Sequence, residues 1–230
     1  MKFVGPPLEE GPLPALIYLA LSDEESLHLD PFNQPVKHLK SSRIRIFSLT
    51  IPGHGPDLDP TKAITFWRQK FDEGIDILTP FFNQAAQQIQ DWQHHMSSIA
   101  IGGLSRGAFC ACHIAALLPQ VKIVLGFAPL IQLELAKEMQ GCHLPNLALD
   151  PDTLCDRTIR FYIGNRDLRT GTENCFHFVR DLANAAFQRK IRSSPIELIV
   201  GPSIGHQGHG TAPHVFEAGA NWLMEKLHEI

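Results

Sequence analysis

The stretch from residue 98 to residue 118 joins a short apolar run, a glycine-rich corner and a longer apolar run. Residues 99–101 are too few for a helix and predict a buried strand. Residues 108–118 are apolar on nearly every side, which predicts a buried helix that ends before Pro119. The sequence Gly-Leu-Ser-Arg-Gly connects them, from Gly103 to Gly107. Its two glycines permit a sharp turn from strand to helix, because no Cβ atom obstructs the close approach of the backbones.

A serine at this corner, Ser105, has the properties that nucleophilic catalysis requires. The turn pushes its side chain outward at the edge of the sheet, and the N–H of Arg106 can donate to an oxyanion. The following helix directs its positive dipole end to the same point. The pattern G-x-S-x-G between a strand and a helix is typical of a nucleophile elbow, although such a turn can also be purely structural. Ser105 is therefore the predicted nucleophile.

Further strands and helices alternate along the chain. Apolar runs predict strands at residues 15–21, 44–49, 121–127, 158–163 and 196–200. Helical periodicity covers residues 61–92, with a restart at Thr79 and Pro80, then residues 172–190 and the C-terminal segment. This alternation predicts an α/β fold, a three-layer, doubly wound, mostly parallel sheet of about six strands with helices on both faces.

The length of 230 residues predicts a single domain over residues 1–230. Residues 129–157 are less regular and are expected to form a small cap or insertion. The segment before residue 15, rich in proline and glycine, is expected to be an irregular lead-in, and residues 22–35 a polar loop.

Acidic and basic side chains follow two of the predicted strands. Asp167 lies four residues past the strand at 158–163, and His206 and His209 lie six and nine residues past the last strand. Catalytic groups in such sheets gather beyond the carboxyl ends of the strands. His206 is the predicted general base, with His209 as the alternative, and Asp167 is the predicted acid that orients the imidazole. The competing acids lie in the irregular segment and are expected to be solvated: Asp150, Asp152 and Asp156.

Four short motifs together resemble the α/β-hydrolase superfamily. Residues 51–55, Ile-Pro-Gly-His-Gly, resemble a turn after an early strand of the family. Residues 103–107 resemble the elbow variant with arginine after the nucleophile, found in dienelactone-hydrolase-like and prolyl-oligopeptidase-like members. Gly164–Asp167 resembles the G-x-x-D acid turn, and Gly205-His206 the Gly-His pair that carries the base. The resemblance covers residues 15–227 and implies a compact serine hydrolase without the first two strands of the family.

The sequence departs from the family after the strand at 15–21. Family members commonly carry His-Gly there, which shapes the second half of the oxyanion hole, whereas this chain has Ala20-Leu21-Ser22. A backbone N–H needs no particular side chain, so Leu21 or Ser22 is the expected second donor beside Arg106. The side chain of Arg106 could pair with a carboxylate of the chain or of a substrate, although a packing role is favoured.

Several other kinds of site fit the composition less well. His206, His209 and His214 lack a carboxylate or cysteine at ligand spacing, so neither a metal nor another cofactor is expected. The five cysteines have no C-x-x-C spacing and predict reduced thiols in a cytoplasmic protein. A formal charge of −4 argues against a nucleic-acid partner, and no apolar run is long enough to span a membrane.

The sequence therefore predicts a cytoplasmic serine hydrolase that cleaves a small acyl substrate through an acyl-enzyme. An ester, a thioester and an amide remain open as the scissile bond, and the oligomeric state is not predicted. Two alternatives also remain: acyl transfer on the same triad, and a non-catalytic binding protein that has kept the fold.

Overall fold

The computed structural model describes residues 1–142 and 145–229. Within these ranges a seven-stranded sheet has the order β1-β3-β2-β4-β5-β6-β7. The strands are β1 (Lys2–Val4), β2 (Leu13–Leu19), β3 (Arg45–Ser48), β4 (Met96–Leu104), β5 (Val121–Phe127), β6 (Thr158–Gly164) and β7 (Ile196–Gly201). Strands β2 to β7 are parallel, and β1 pairs antiparallel with β3 at one edge. The mostly parallel α/β sheet is confirmed, with one strand more than expected.

The extra strand β1 lies in the segment expected to be an irregular lead-in, and that expectation is wrong. Lys2 pairs with Ser48, and Val4 pairs with Ile46. The strand is too short for its own residues to show a period, so its pairing depends on the exposed edge of β3.

The described residues also form seven α-helices. They are α1 (Asp23–His28), α2 (Gln34–Leu39), α3 (Ala63–Asp72), α4 (Leu78–Trp92), α5 (Arg106–Leu117), α6 (Thr172–Gln188) and α7 (Pro213–His228). Helices α1 and α2 correct the prediction of a loop over residues 22–35. Ser22 caps α1: its side chain accepts from the N–H of Glu25, and the Glu25 side chain accepts from the Ser22 N–H.

The break within the helical region 61–92 lies earlier than Thr79, which was the predicted restart. Helix α3 ends at Asp72, and Gly74 follows with φ 75°. The carboxylate of Asp76 accepts hydrogen bonds from the N–H groups of Leu78 and Thr79, at 2.9 and 3.0 Å. Asp76 therefore caps α4, because its carboxylate satisfies N–H groups that lack a partner within the helix.

Two apolar cores lie on opposite faces of the sheet. Alternate residues of β2 divide between them, since successive side chains of a strand point to opposite faces. The first core contains Ile17, Trp67, Phe82, Phe109 and Leu182, among others. The second core contains Tyr18, Leu39, Phe127, Trp222 and Leu223, among others. Helices α3, α4, α5 and α6 thus cover one face, and α1, α2 and α7 cover the other.

Residues 129–157, the expected cap, contain three short 3₁₀ turns: Leu133–Leu135, Lys137–Met139 and Pro151–Thr153. Residues 143 and 144 of this segment lie outside the described residues. Among the helices of the described ranges, none combines the length and the apolar composition that a membrane crossing requires.

Candidate active site

Ser105 occupies the corner between β4 and α5 and has a backbone conformation that is rare for a residue with a Cβ atom. Its φ is 55° and its ψ is −118°. The neighbouring loop holds the corner in place, because the Ser105 N–H donates to Phe127 O (2.8 Å) and the Ser105 carbonyl accepts from the Leu130 N–H (3.2 Å). A strained residue held by its surroundings is a common feature of functional sites.

Both flanking glycines are required by close backbone contacts. A Cβ atom on Gly107 would lie 1.9 Å from the carbonyl oxygen of Leu19, and one on Gly103 would lie 2.3 Å from the carbonyl carbon of Gly107. Helix α5 therefore packs directly on the backbone of β2, and the corner is as tight as the sequence predicted.

A hydrogen-bonded chain joins Ser105, His209 and Asp167. Nε2 of His209 lies 2.9 Å from Oγ of Ser105, and Nδ1 lies 2.8 Å from Oδ2 of Asp167. With its proton on Nδ1, the imidazole donates to the carboxylate, and Nε2 accepts from the serine hydroxyl. This arrangement matches that of a nucleophile, a general base and an orienting acid.

The Asp167 carboxylate is buried and surrounded by hydrogen-bond donors. Oδ1 accepts from the N–H groups of Arg169 (2.9 Å) and Thr170 (3.0 Å). Burial by itself raises the pKa of this carboxyl, but hydrogen bonds from His209 and from the two backbone groups outweigh burial and lower the pKa below its ordinary value. Asp167 is therefore held as a carboxylate facing His209.

The histidine in contact with Ser105 is His209, and not His206 as first predicted. His206 is exposed, on a short 3₁₀ turn from His206 to Gly208. Left-handed residues Gly205, Gln207 and Gly208, with φ of 71°, 57° and 74°, fold the loop back on itself. The N–H of Gly210 then donates to Ile204 O at 2.7 Å, which places His209 on the inner side of the closed loop.

The two expected second donors of the oxyanion hole are both engaged elsewhere, and this corrects that prediction. The N–H of Leu21 donates to Oγ of the buried Ser26 (3.0 Å), and the N–H of Ser22 donates to Oε2 of Glu25 (3.2 Å). The start of helix α1 directly after β2 is the physical cause. The N–H of Arg106, in contrast, lies at the first position of α5, ahead of the first intrahelical donor, Ala108.

Two arginines belong to the segments that carry the triad: Arg106 is the first residue of α5, and Arg169 lies on the loop of Asp167. The Arg106 guanidinium donates to Pro60 O at 3.2 Å. Burial and, less strongly, the positive charge of Arg169 lower the pKa of Arg106 to about 10, while the negative charge of Glu138 opposes them. Arg169 forms an ion pair with Glu138 at 3.3 Å. Sequence reasoning named Arg106 but not Arg169 or Glu138, because no local pattern links these three positions.

His54, in the Pro-Gly-His-Gly turn, is 2% exposed and is a second buried imidazole near Arg106. Burial, followed by the positive charge of Arg106, lowers the pKa of His54 to about 3. His54 is therefore neutral at physiological pH.

The other sequence candidates lie away from this chain of hydrogen bonds. The Asp150 carboxylate caps a turn, Asp152 pairs with Arg189 and Asp156 pairs with Arg157. His214 is exposed at the start of α7. The described ranges contain no group of three or more His, Cys, Asp or Glu residues that could hold a metal ion. All five cysteines are free thiols.

Comparison with solved structures identifies several similar chains. Est1E from Butyrivibrio proteoclasticus, bound to ferulic acid, has a TM-score of 0.66 and 12% identity, over 99% of this chain and 94% of that chain. TT1662 from Thermus thermophilus has a TM-score of 0.65 and 15% identity, over 96% and 91% of the two chains. A puromycin-hydrolysing peptidase from Mycobacterium tuberculosis has a TM-score of 0.62 and 13% identity, over 95% of this chain and 34% of that chain.

No protein-family model matches the sequence, and no curated protein sequence matches it. At identities of 12–15%, a structural likeness is evidence for the fold alone. The sheet order, the strand-to-helix corner at Ser105 and the likeness over nearly the whole chain agree, and the chain has the α/β-hydrolase fold.

Proposed function

We propose that the protein is a serine hydrolase that cleaves a small acyl substrate through an acyl-enzyme on Ser105. The observation that carries this proposal is the hydrogen-bonded chain of Ser105, His209 and Asp167, with distances of 2.9 and 2.8 Å. The three side chains come from loops after β4, β7 and β6, so they meet only in the folded protein. The strained backbone of Ser105 adds support, because strain of this kind is frequent at catalytic corners.

The proposed reaction has two halves. Ser105 Oγ attacks the acyl carbonyl while Nε2 of His209 takes the hydroxyl proton, and Asp167 stabilises the resulting imidazolium. His209 then returns the proton to the leaving group as the scissile bond breaks and the acyl-enzyme forms. A water molecule repeats the sequence: His209 takes its proton, the oxygen attacks the acyl carbonyl, and the proton returns to Ser105 Oγ as the acid product leaves.

The developing oxyanion is stabilised by the N–H of Arg106 in this proposal. One such donor typically contributes a factor on the order of 10²–10³ to kcat. Because Leu21 and Ser22 donate elsewhere, a second contribution from either would require Ser26 or Glu25 to release its hydrogen bond. We therefore expect slower acylation than in an enzyme with two free donors.

An ester is the bond we propose first, supported by the esterases among similar structures, and an amide is the alternative, since a peptidase shares the fold. The five free thiols support the accompanying proposal of a cytoplasmic location. A non-catalytic binding protein is the second candidate function, favoured by the engagement of both expected oxyanion donors.

Labelling by a fluorophosphonate probe tests the proposal. Wild-type protein should form a covalent adduct on the peptide that contains Ser105 and should hydrolyse short p-nitrophenyl esters. Ser105→Ala should form no adduct, and its kcat should be lower than that of wild type by a factor of about 10⁶. Ser98→Ala, on the strand β4 that leads to Ser105, is the matched control and should behave as wild type. Equal labelling of wild type and Ser105→Ala, or no labelling of either, would favour the binding-protein alternative.

A further inference from the structure

The positive charge of one side chain beside Ser105 is not paired with a carboxylate of the described residues. Arg106 follows Ser105 in the chain, and the charges of Arg169 and Glu138 both act on its guanidinium. Arg169 also donates its backbone N–H to the triad carboxylate of Asp167 at 2.9 Å. Glu138 pairs with Arg169, whereas Arg106 has no ion-pair partner among residues 1–142 and 145–229 and donates only to a backbone carbonyl, that of Pro60. The charges of Arg106, Arg169 and Glu138 sum to about +1. The Asp167 carboxylate, on the loop of Arg169, is already bonded to His209 and to two backbone N–H groups.

The other charged groups in the vicinity do not neutralise Arg106. Arg68 reaches the Glu138 carbonyl, but its charge is paired with Asp72 at 2.6 Å. The Asp59 carboxylate accepts from Thr61 and faces Lys62. His54, the neighbouring imidazole, is neutral because burial and the charge of Arg106 lower its pKa.

A half-buried guanidinium without a carboxylate partner points to an anion from outside the chain. Placing such a charge away from water costs free energy that an acidic partner usually offsets. The planar guanidinium offers paired N–H donors that match the two oxygens of a carboxylate. A net charge of about +1 suits a singly charged carboxylate better than a doubly charged phosphate.

We propose that the acyl substrate carries a carboxylate, which binds between the guanidinium groups of Arg106 and Arg169 while the scissile carbonyl faces Ser105. This inference rests on the proposed function, because it assigns a substrate class to the same site. Arg106 has two separate roles in it: the backbone N–H faces the oxyanion, and the side chain binds the anionic group. Arg169 continues the loop that positions Asp167, so the acid and the anion site are built on one segment.

Pairs of esters that differ only in charge test this assignment. The first pair is the p-nitrophenyl monoester of adipic acid and its isostere with a methyl ketone in place of the carboxylate. The second pair places the groups on the leaving side: phenyl acetates with a para-carboxylate or a para-acetyl group. The readout is the ratio of kcat/KM within each pair, which separates a carboxylate on the acyl side from one on the leaving side.

In one of the two pairs the wild-type ratio should favour the carboxylate about tenfold or more, as expected for charge-assisted hydrogen bonds. Arg106→Gln and Arg169→Gln should each lower that ratio by about tenfold. Arg106→Lys keeps the positive charge but loses the planar guanidinium, so its ratio should lie between those of wild type and Arg106→Gln. Arg166→Gln removes an exposed arginine from the same loop and is the matched control, which should keep the wild-type ratio.

Ratios near one in both pairs, or ratios unchanged in Arg106→Gln and Arg169→Gln, would overturn the inference while hydrolysis itself persists. Absence of hydrolysis together with absence of fluorophosphonate labelling would overturn the proposed function, and the inference with it. If Arg106→Gln does not fold, Arg106→Lys and Arg169→Gln still decide the result, because both retain an arginine or lysine at position 106.

Discussion

One imidazole, that of His209, contacts both other members of the proposed triad. Each ring nitrogen has its own partner: Nδ1 faces the buried Asp167 and Nε2 faces Ser105. The carboxylate stabilises the tautomer with the proton on Nδ1, and that tautomer leaves a lone pair on Nε2 for the serine proton. Substitution of His209 should therefore affect both the proton transfer and the orientation of the serine.

His209→Gln should lower kcat/KM for p-nitrophenyl esters on the order of 10⁵, because no other group described near Ser105 Oγ can accept its proton. His206→Gln is the matched control, since this exposed side chain lies three residues away on the same loop. Its kcat/KM should equal that of wild type. The reverse result, a loss in His206→Gln and not in His209→Gln, would assign the base to the residue that the sequence favoured.

The sequence is informative about Ser105 and Asp167 for local reasons. Ser105 has glycines at fixed offsets in a strand-to-helix turn, and Asp167 ends a four-residue turn directly after β6. His206 and His209 share one glycine-rich loop, and the choice between them depends on left-handed residues such as Gln207, which no local pattern marks. The engagement of Leu21 by Ser26 depends likewise on the path of α1.

His113 provides a test of pH-dependent stability at a residue outside the proposed triad. Its ring stacks on Phe82 with centroids 4.6 Å apart and meets the edge of Phe109 at 4.5 Å. Burial lowers the pKa of His113 to about 4, against an opposing effect of a hydrogen bond with the Leu147 backbone. The unfolded chain, with an ordinary histidine pKa of about 6.5, binds the proton more readily, so stability is full above about pH 6.5 and falls as the pH drops toward 4.

When the pH is lowered from about 7.5 to about 5, the protonation of His113 on unfolding should lower the free energy of unfolding of wild-type protein by about 1–2 kcal/mol. His113→Phe should remove that part of the difference, as measured by urea unfolding at both pH values. His28→Gln, which removes an exposed histidine, is the control and should keep the wild-type difference. Equal pH dependence in His113→Phe and wild type would contradict the prediction.

At the scale of elements, the buried strands are the best predicted parts of the chain. All six expected strands are present. The central ones are apolar runs because helices cover both of their faces, and the edge strand β7 is an apolar run although it is partly exposed. Strand β1 lacks such a run, since it has three residues and pairs only with the edge of β3. Helix α1 carried a readable signal, the Ser22 and Glu25 capping box, but its six residues show no clear helical period.

The packing of α5 on β2 gives the element-scale prediction. In Gly107→Ala the new Cβ atom would lie 1.9 Å from the backbone oxygen of Leu19, and no side-chain rotation can separate the two atoms. The helix must shift, so we expect a loss of about 3 kcal/mol in unfolding free energy and loss of esterase activity. Gly201→Ala, at the end of β7 with no atom within 4 Å of the added Cβ, should stay within about 0.5 kcal/mol of wild type. A stable, active Gly107→Ala protein would show that the corner is looser than the contacts indicate.

At the scale of the molecule, one sheet separates two apolar cores that have different helices but share the same strands. The first core surrounds Trp67 and has Trp92 at its margin, whereas the second contains Trp222. Loss of either core exposes one face of every central strand, and the shared strands then lose the burial that keeps them extended. The prediction that residues 1–230 form a single domain thus implies that neither core remains folded without the other.

Tryptophan fluorescence can follow each core separately. In Trp222→Phe the signal comes from Trp67 and Trp92 in and beside the first core, and in the double variant Trp67→Phe/Trp92→Phe it comes from Trp222 in the second. Within each variant, urea unfolding followed by fluorescence should have the same midpoint as unfolding followed by far-ultraviolet circular dichroism, because a two-state unit loses both signals together. The Trp67→Phe change removes a hydrogen bond to Pro52 O and should lower the midpoint of the double variant, but it should lower both signals equally. Separate midpoints within one variant would instead divide the chain into two folding units, one for each face of the sheet.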